Sequence, residues 1–326
     1  MHVVAIGGGG GATQVLRAAA PFATRRTAVI AVTDTGRSTG LARQIGAIPA
    51  PGDLRATIAA FAQDPLWAGL LQHRFDGAGV PQLEGMAFGN LLIAALARHT
   101  GDFDRAVQLT AALAGSAVQV LPVSAADTQL CARLAHGGQR VGELAVRGLN
   151  KPPIAQLWLD PPAAASADAV AAIRTADLVV IGPGSLFTTV LATLQFAGLV
   201  EALRQTDAVV AYVANTTAQP GQTDGYSLAD HVARVVEALG PGVLDAAIIN
   251  DGLADEAQRV RLAADGLVPL ACDAVQRAAI ERLGVAPLAG DLVERGGDAR
   301  ALWNKQDTIK HDVARLGAAL ASLLQR

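Results

Sequence analysis

The chain has 326 residues, 51% of them hydrophobic, with 26 basic and 29 acidic side chains and a formal charge of −3. This length supports a large buried core, read here as one α/β unit spanning 1–326, and the near-neutral charge without a basic tract excludes a surface that tracks nucleic-acid phosphates. No window approaches ~18 uninterrupted apolar residues, the start Met1-His2-Val3-Val4-Ala5-Ile6 lacks the basic and long apolar parts of a secretory signal, and Cys131 and Cys272 form no metal or disulfide pattern, so a reduced, cytoplasmic protein without a membrane span is expected.

In chain order, Val3–Ile6 reads as a short buried strand and runs into Gly7-Gly8-Gly9-Gly10-Gly11. Five glycines are unfavourable in any regular element, so the run is expected to be a loop, followed by a helix over 11–20. Backbone N–H groups there and the positive end of the helix suit a phosphate, which makes Gly8, Gly9, Gly10 and Gly11 candidate ligand contacts. The run lacks the Lys-Ser/Thr ending of a P-loop, which argues against a Walker-type ATPase. A tight turn without a ligand is the plainer alternative.

A second strand, Thr27–Thr33, is followed by a polar segment with Asp34, Gly36, Ser38 and Arg43, and later by Asp53 and Arg55 at the start of a helix over 53–62. An acid at the end of a second strand is where dinucleotide enzymes hold a ribose, so an NAD-linked oxidoreductase stays open; Asp53 reads equally as a helix N-cap. Gly89-Asn90 opens a helix over 88–98 and offers backbone and side-chain donors. A strand over 117–121 comes next. Thr128–Leu134, Gly137-Gly138 and an extended Arg140–Val146 then read as a β-hairpin inserted at about 125–150.

A helix over 166–175 leads to the strand Leu178–Ile181, the turn Gly182-Pro183-Gly184-Ser185 and a long helix over 186–204 that carries Thr188. Ser185 is placed as an N-cap or as a ligand hydroxyl. Two glycine loops at the carboxyl ends of parallel strands can converge on one crevice. After the strand Ala208–Val213 comes a long polar connection with Asn215, Thr223 and Asp224, then a helix over 227–239, a strand Ala246–Asn250 and a last helix over 311–324, with Lys310 just before it. His2, His73, His99, His136 and His311 show no ligand-pair spacing, which leaves room only for a magnesium ion carried in by a nucleotide, and no cofactor is assigned. The alternation of strands and helices predicts a mostly parallel sheet between helical layers.

In order and in register, these segments resemble the YvcK/CofD-like family, on its YvcK (YbhK) side: the opening glycine loop, Asp-x-Gly-x-Ser-x-Gly from Asp34, Pro-Gly-Asp-x-Arg from Pro51, Gly89-Asn90, Ala176 to Thr188, and Gln219 to Tyr226. The resemblance implies a three-layer α/β/α Rossmann-like fold and a homodimer. It also implies binding of a nucleotide sugar such as UDP-N-acetylglucosamine or UDP-glucose, with a gluconeogenesis-factor role in cell shape and wall metabolism on gluconeogenic carbon sources. The CofD branch implies instead a 2-phospho-L-lactate transferase acting on the deazaflavin Fo. The sequence departs from the pattern at Arg37, Ala56, Met86, Gln222 and Lys310, where the family has Gly, Asn, His, Glu and Arg. Three of these changes remove a polar or ionisable side chain or its charge, so ligand binding is the firmer expectation than catalysis.

Overall fold

The computed structural model describes residues 1–295 and 310–325. Its strands in chain order are β1 (His2–Gly7), β2 (Arg25–Ile30), β3 (Gln119–Pro122), β4 (Gln129–Leu134), β5 (Gln139–Val141), β6 (Ile154–Asp160), β7 (Leu178–Ile181), β8 (Val209–Val213), β9 (Thr217–Ala218), β10 (Ala246–Asn250), β11 (Val268–Pro269) and β12 (Ala286–Gly290). The helices are α1 (Gly9–Ala18), α2 (Arg37–Gly46), α3 (Gly52–Ala60), α4 (Pro65–Gln72), α5 (Phe88–Thr100), α6 (Phe103–Leu113), α7 (Glu143–Arg147), α8 (Ala167–Arg174), α9 (Leu199–Arg204), α10 (Leu228–Leu239), α11 (Glu256–Ala264), α12 (Ala274–Arg282) and α13 (Val313–Leu323).

Among the described residues seven strands form one parallel sheet in the order β12-β10-β8-β7-β1-β2-β3. β7 and, apart from His2, β1 consist of apolar residues buried on both faces, as strands covered by helices on both sides must be. The order reverses between β1 and β7. From β1 the chain steps through β2 to β3; from β7 it steps the other way through β8 and β10 to β12. Right-handed crossovers place helices on opposite faces when the stepping direction changes. Accordingly α1, α3 and α6 pack together on one side, joined by α13 against α1, while α8, α9, α10 and α12 pack in sequence on the other. This is the expected three-layer α/β/α arrangement, and no described helix is long and apolar enough to cross a membrane.

The expected hairpin is present as β4 and β5, and β6 extends it to a three-stranded antiparallel sheet whose inner residues Leu130, Ala132 and Leu157 join the main hydrophobic core. The extended reading of Arg140–Val146 is corrected: Gly142 turns the chain at φ 86°, and Glu143–Arg147 is a short helix that buries Val146. The helix expected over 186–204 is also broken. Leu186–Leu191 forms a π-helical turn, Ala197 leaves it to bridge Ala164, and Gly198, at φ 88°, restarts the chain as α9. Helices α2, α4, α6, α11 and α12 and strand β12 come in addition to the sequence reading.

Candidate functional site

The strand order reverses between β1 and β7, and the carboxyl ends of strands at such a reversal are where open α/β sheets bind ligands in a crevice. The glycine run lies here, but only partly as a loop. Gly7 ends β1, Gly8 is the N-cap of α1, and Gly9, Gly10 and Gly11 form its first turn. Glycine in a helix costs roughly 1 kcal/mol relative to alanine, so each of the three needs a reason. A Cβ on Gly9 would lie 2.8 Å from the Asp53 carbonyl oxygen, and one on Gly11 would lie 1.8 Å from the Pro183 carbonyl oxygen. Those two glycines let α1 touch α3 and the second glycine turn. Gly10 is different: it is exposed and a Cβ there meets nothing within 4 Å.

The first intrahelical bond of α1 runs from Ala12 N–H to Gly8 O, at 3.0 Å, so the N–H groups of Gly9, Gly10 and Gly11 precede the ladder. Gly8 has no side chain with which to cap them. Beside this turn, the Asp53 carboxylate lies 2.9 Å from the position of a Gly8 Cβ and has no hydrogen-bond partner among the described residues. The capping role considered for Asp53 is corrected, because the N-cap of α3 is Pro51 and Asp53 lies within the first turn.

The second glycine turn closes the other side of the crevice. Gly182 has φ +77° and its Cα faces the Val213 carbonyl so closely that a Cβ would sit 3.1 Å from it; both features require glycine. Asn215 at the end of β8 donates from Nδ2 to Gly184 O at 2.9 Å and accepts from the Tyr212 hydroxyl at 3.2 Å, which holds the turn in place. Ser185 occupies the N-cap position of the π-helical turn, yet its hydroxyl caps nothing and has no partner among the described residues. The side chain that faces Gly8 and Gly184 is Thr189, whose Cγ2 lies 3.1 and 3.3 Å from their Cβ positions. Thr188 points away and donates to Gln222 Oε1 at 3.3 Å. The sequence points to Thr188, whereas the neighbour of both glycine turns is Thr189; the helical register that separates them is not legible in the residues alone.

A second group forms around α3 and α5. Ser38 is buried, and its hydroxyl accepts from Ala87 N–H at 2.9 Å and from Asn90 Nδ2 at 3.1 Å. Asn90 Oδ1 accepts from Arg55 Nε at 3.2 Å, and Arg55 also donates to Gln72 Oε1. The stem of Arg55 packs so closely on Gly89 that a Cβ there would lie 2.5 Å from Arg55 Cγ. Burial, and after it the nearby Arg74 guanidinium, push the Arg55 pKa down to about 10.

The remaining candidates hold backbone together. Asp34 Oδ1 accepts from Gly36 N–H at 2.8 Å. Arg43 donates to Asp127 at 2.6 Å, to Thr128 O at 2.9 Å and to Asp34 O at 3.3 Å, tying the loop after β2 to the inserted sheet. Thr223 Oγ1 accepts from Gln219 N–H, and Asp224 accepts from Gly221 N–H, both at 2.7 Å. The Lys310-His311-Asp312 triplet divides three ways. Lys310 accepts at its carbonyl from Glu294 N–H, Asp312 caps α13, and His311 is buried against the Ala214 backbone with Nε2 unpartnered. Burial pushes the His311 pKa down to about 4, so its ring is neutral at pH 7. Among the described residues no three His, Cys, Asp or Glu side chains gather as a metal site.

The model of the 2-phospho-L-lactate transferase CofD family matches residues 3–293. The gluconeogenesis factor of Halalkalibacterium halodurans is 34% identical over 274 residues, which are 83% of this chain and 84% of that protein. A Clostridium acetobutylicum relative is 37% identical over 261 residues, or 78% of this chain but 57% of that longer protein. The crystal structure of a UPF0052 family member from Bacillus halodurans superposes with a TM-score of 0.89 at 30% identity, covering 98% of each chain. The glycine turns, the parallel sheet that reverses between β1 and β7, and these matches agree: the chain belongs to the CofD family and is similar over most of its length to gluconeogenesis factors.

Proposed function

We propose that the protein binds a nucleotide sugar of the UDP-sugar class in the β1/β7 crevice and acts as a regulatory binding protein of the gluconeogenesis-factor type, linked to cell shape and wall metabolism. The observation that carries this reading is Gly10. Its neighbours Gly9 and Gly11 are explained by contacts inside the chain, whereas Gly10 lies open beside three N–H groups outside the helical ladder. A diphosphate at that helix end would complete the amides and use the space a side chain would fill. Ser185, whose hydroxyl has no partner among the described residues, and Thr189, beside Gly8 and Gly184, would supply donors for further phosphate or ribose oxygens.

The same reading includes a homodimer, as the resemblance implies, and the cytoplasmic location expected from the sequence; sedimentation equilibrium tests the first. The test of the ligand is thermal stabilisation. A ligand at 100 times its dissociation constant adds about 2.7 kcal/mol to stability. UDP-N-acetylglucosamine or UDP-glucose is expected to raise the melting temperature, and NAD is not. A rise with NAD alone would replace the reading by an oxidoreductase, and conversion of Fo to its phospholactyl product would replace it by a transferase.

A further inference from the structure

Helix α3 presents two chemistries on two sides. Asp53 faces Gly8 and the start of α1, while Arg55, two residues on, faces α4 and α5. Arg55 is 6% exposed, and among the described residues no carboxylate pairs with it. Its bonded partners are two neutral amide oxygens, those of Asn90 and Gln72. The Asp53 carboxylate, two residues back on the same helix, favours its charge from a distance without forming an ion pair with it; a guanidinium held this deep without a paired carboxylate is costly, and natural cores pair such groups. The charge that depresses its pKa is a second cation, Arg74, which is exposed and donates to Gly85 O at 2.8 Å. Arg74 likewise has no carboxylate partner among the described residues. Two guanidinium groups are thus brought together, one buried and one at the rim, beside the exposed Gln72. Packing has been adapted to hold Arg55 there, because Gly89 leaves room for its stem where any side chain would collide.

We propose that Arg55 and Arg74 form an anion subsite, with Gln72 at its edge, that accepts an oxyacid group, phosphoryl or carboxyl, from a small-molecule ligand. The N–H groups of Arg55 that are not bonded to Asn90 or Gln72 would donate to that group, and Arg74 would close on it from solvent. The subsite does not depend on the nucleotide reading, since the turn of α1 lies on the other side of α3.

The test uses free anions. The full chain is titrated with orthophosphate and, separately, with glucuronate at constant ionic strength, with melting temperature and calorimetric Kd as readouts. Wild type, Arg55→Met and Arg74→Ala are compared. At least one of the two acids is expected to bind saturably, with Kd at least tenfold weaker in Arg55→Met and severalfold weaker in Arg74→Ala; which acid binds identifies the group. Should Arg55→Met fail to fold, the exposed Arg74→Ala decides by its Kd. The proposal is overturned when neither acid binds the wild type, or when binding is the same with and without these arginines, as it would be if Arg55 served only to join Asn90 and Gln72.

Discussion

Replacing Gly10 by alanine separates packing from ligand binding, because the new methyl group meets nothing within 4 Å inside the protein. In a helical first turn the change removes the backbone entropy that glycine loses on folding, a gain of up to about 1 kcal/mol. For a chain of this size that corresponds to a rise in Tm of roughly a degree or two. The same methyl group occupies the approach to the N–H groups of Gly9, Gly10 and Gly11, where a phosphate oxygen would rest at hydrogen-bond distance. Loss of one charge-assisted hydrogen bond, about 1.5 kcal/mol or more, weakens binding at least tenfold. Gly11→Ala is the control in the opposite sense: its Cβ would lie 1.8 Å from Pro183 O, and overpacking against backbone costs about 1–3 kcal/mol. Calorimetric titration with UDP-N-acetylglucosamine and a thermal melt on both variants measure the two effects. Wild-type affinity in a stabilised Gly10→Ala would refute the assignment of this helix end to a phosphate.

Four more outcomes are expected, the one at Lys310 from the family resemblance and the others from the geometry. His311 has its folded pKa depressed to about 4 from 6.5, so the unfolded chain takes up the proton first as pH falls; its stabilisation is complete above pH 6.5 and is lost between 6.5 and 4, amounting to about 2 kcal/mol by pH 5. Urea unfolding of wild type and His311→Leu at pH 7 and pH 5 is expected to show that slope in the wild type and a shallower one in the variant; equal slopes would contradict the buried neutral ring. Arg43→Met is expected to lower unfolding free energy by about 2 kcal/mol, discounted for the half-exposed Asp127, and to leave the UDP-sugar Kd unchanged; a lost ligand with intact stability would return Arg43 to the binding site. Lys310→Glu is expected to weaken UDP-sugar binding by at least ~1.5 kcal/mol, the scale of one charge-assisted bond, and equal affinity in wild type, Lys310→Arg and Lys310→Glu would remove the residue from the site. Reading the chain as one architectural unit predicts that the inserted sheet, which shares the main core, melts with the central sheet in one transition followed by near- and far-ultraviolet circular dichroism; two resolved transitions would contradict it.

The parallel sheet was legible because strands such as Leu178–Ile181 are short apolar runs ending in glycine, and the crevice because two such runs point their carboxyl ends the same way. What the residues could not convey was which glycines are required by packing inside the chain. Gly9 and Gly11 look like Gly10 in sequence, and only the approach of Asp53 and Pro183, distant along the chain, distinguishes them. The same limit applied to Ser38 and Arg43, polar residues in a suggestive motif whose partners, Ala87, Asn90, Asp127 and Thr128, lie some 50 to 85 positions away. Arg74 and Gln72 gave no signal of their own and matter only because folding brings them to Arg55.

The most direct test of the central claim is a crystal structure of the protein with UDP-N-acetylglucosamine. The account predicts diphosphate oxygens within hydrogen-bond distance of the N–H groups at Gly9 to Gly11 and of the Ser185 hydroxyl, between the ends of β1 and β7. Ligand density elsewhere, with this turn of α1 facing only solvent, would contradict it.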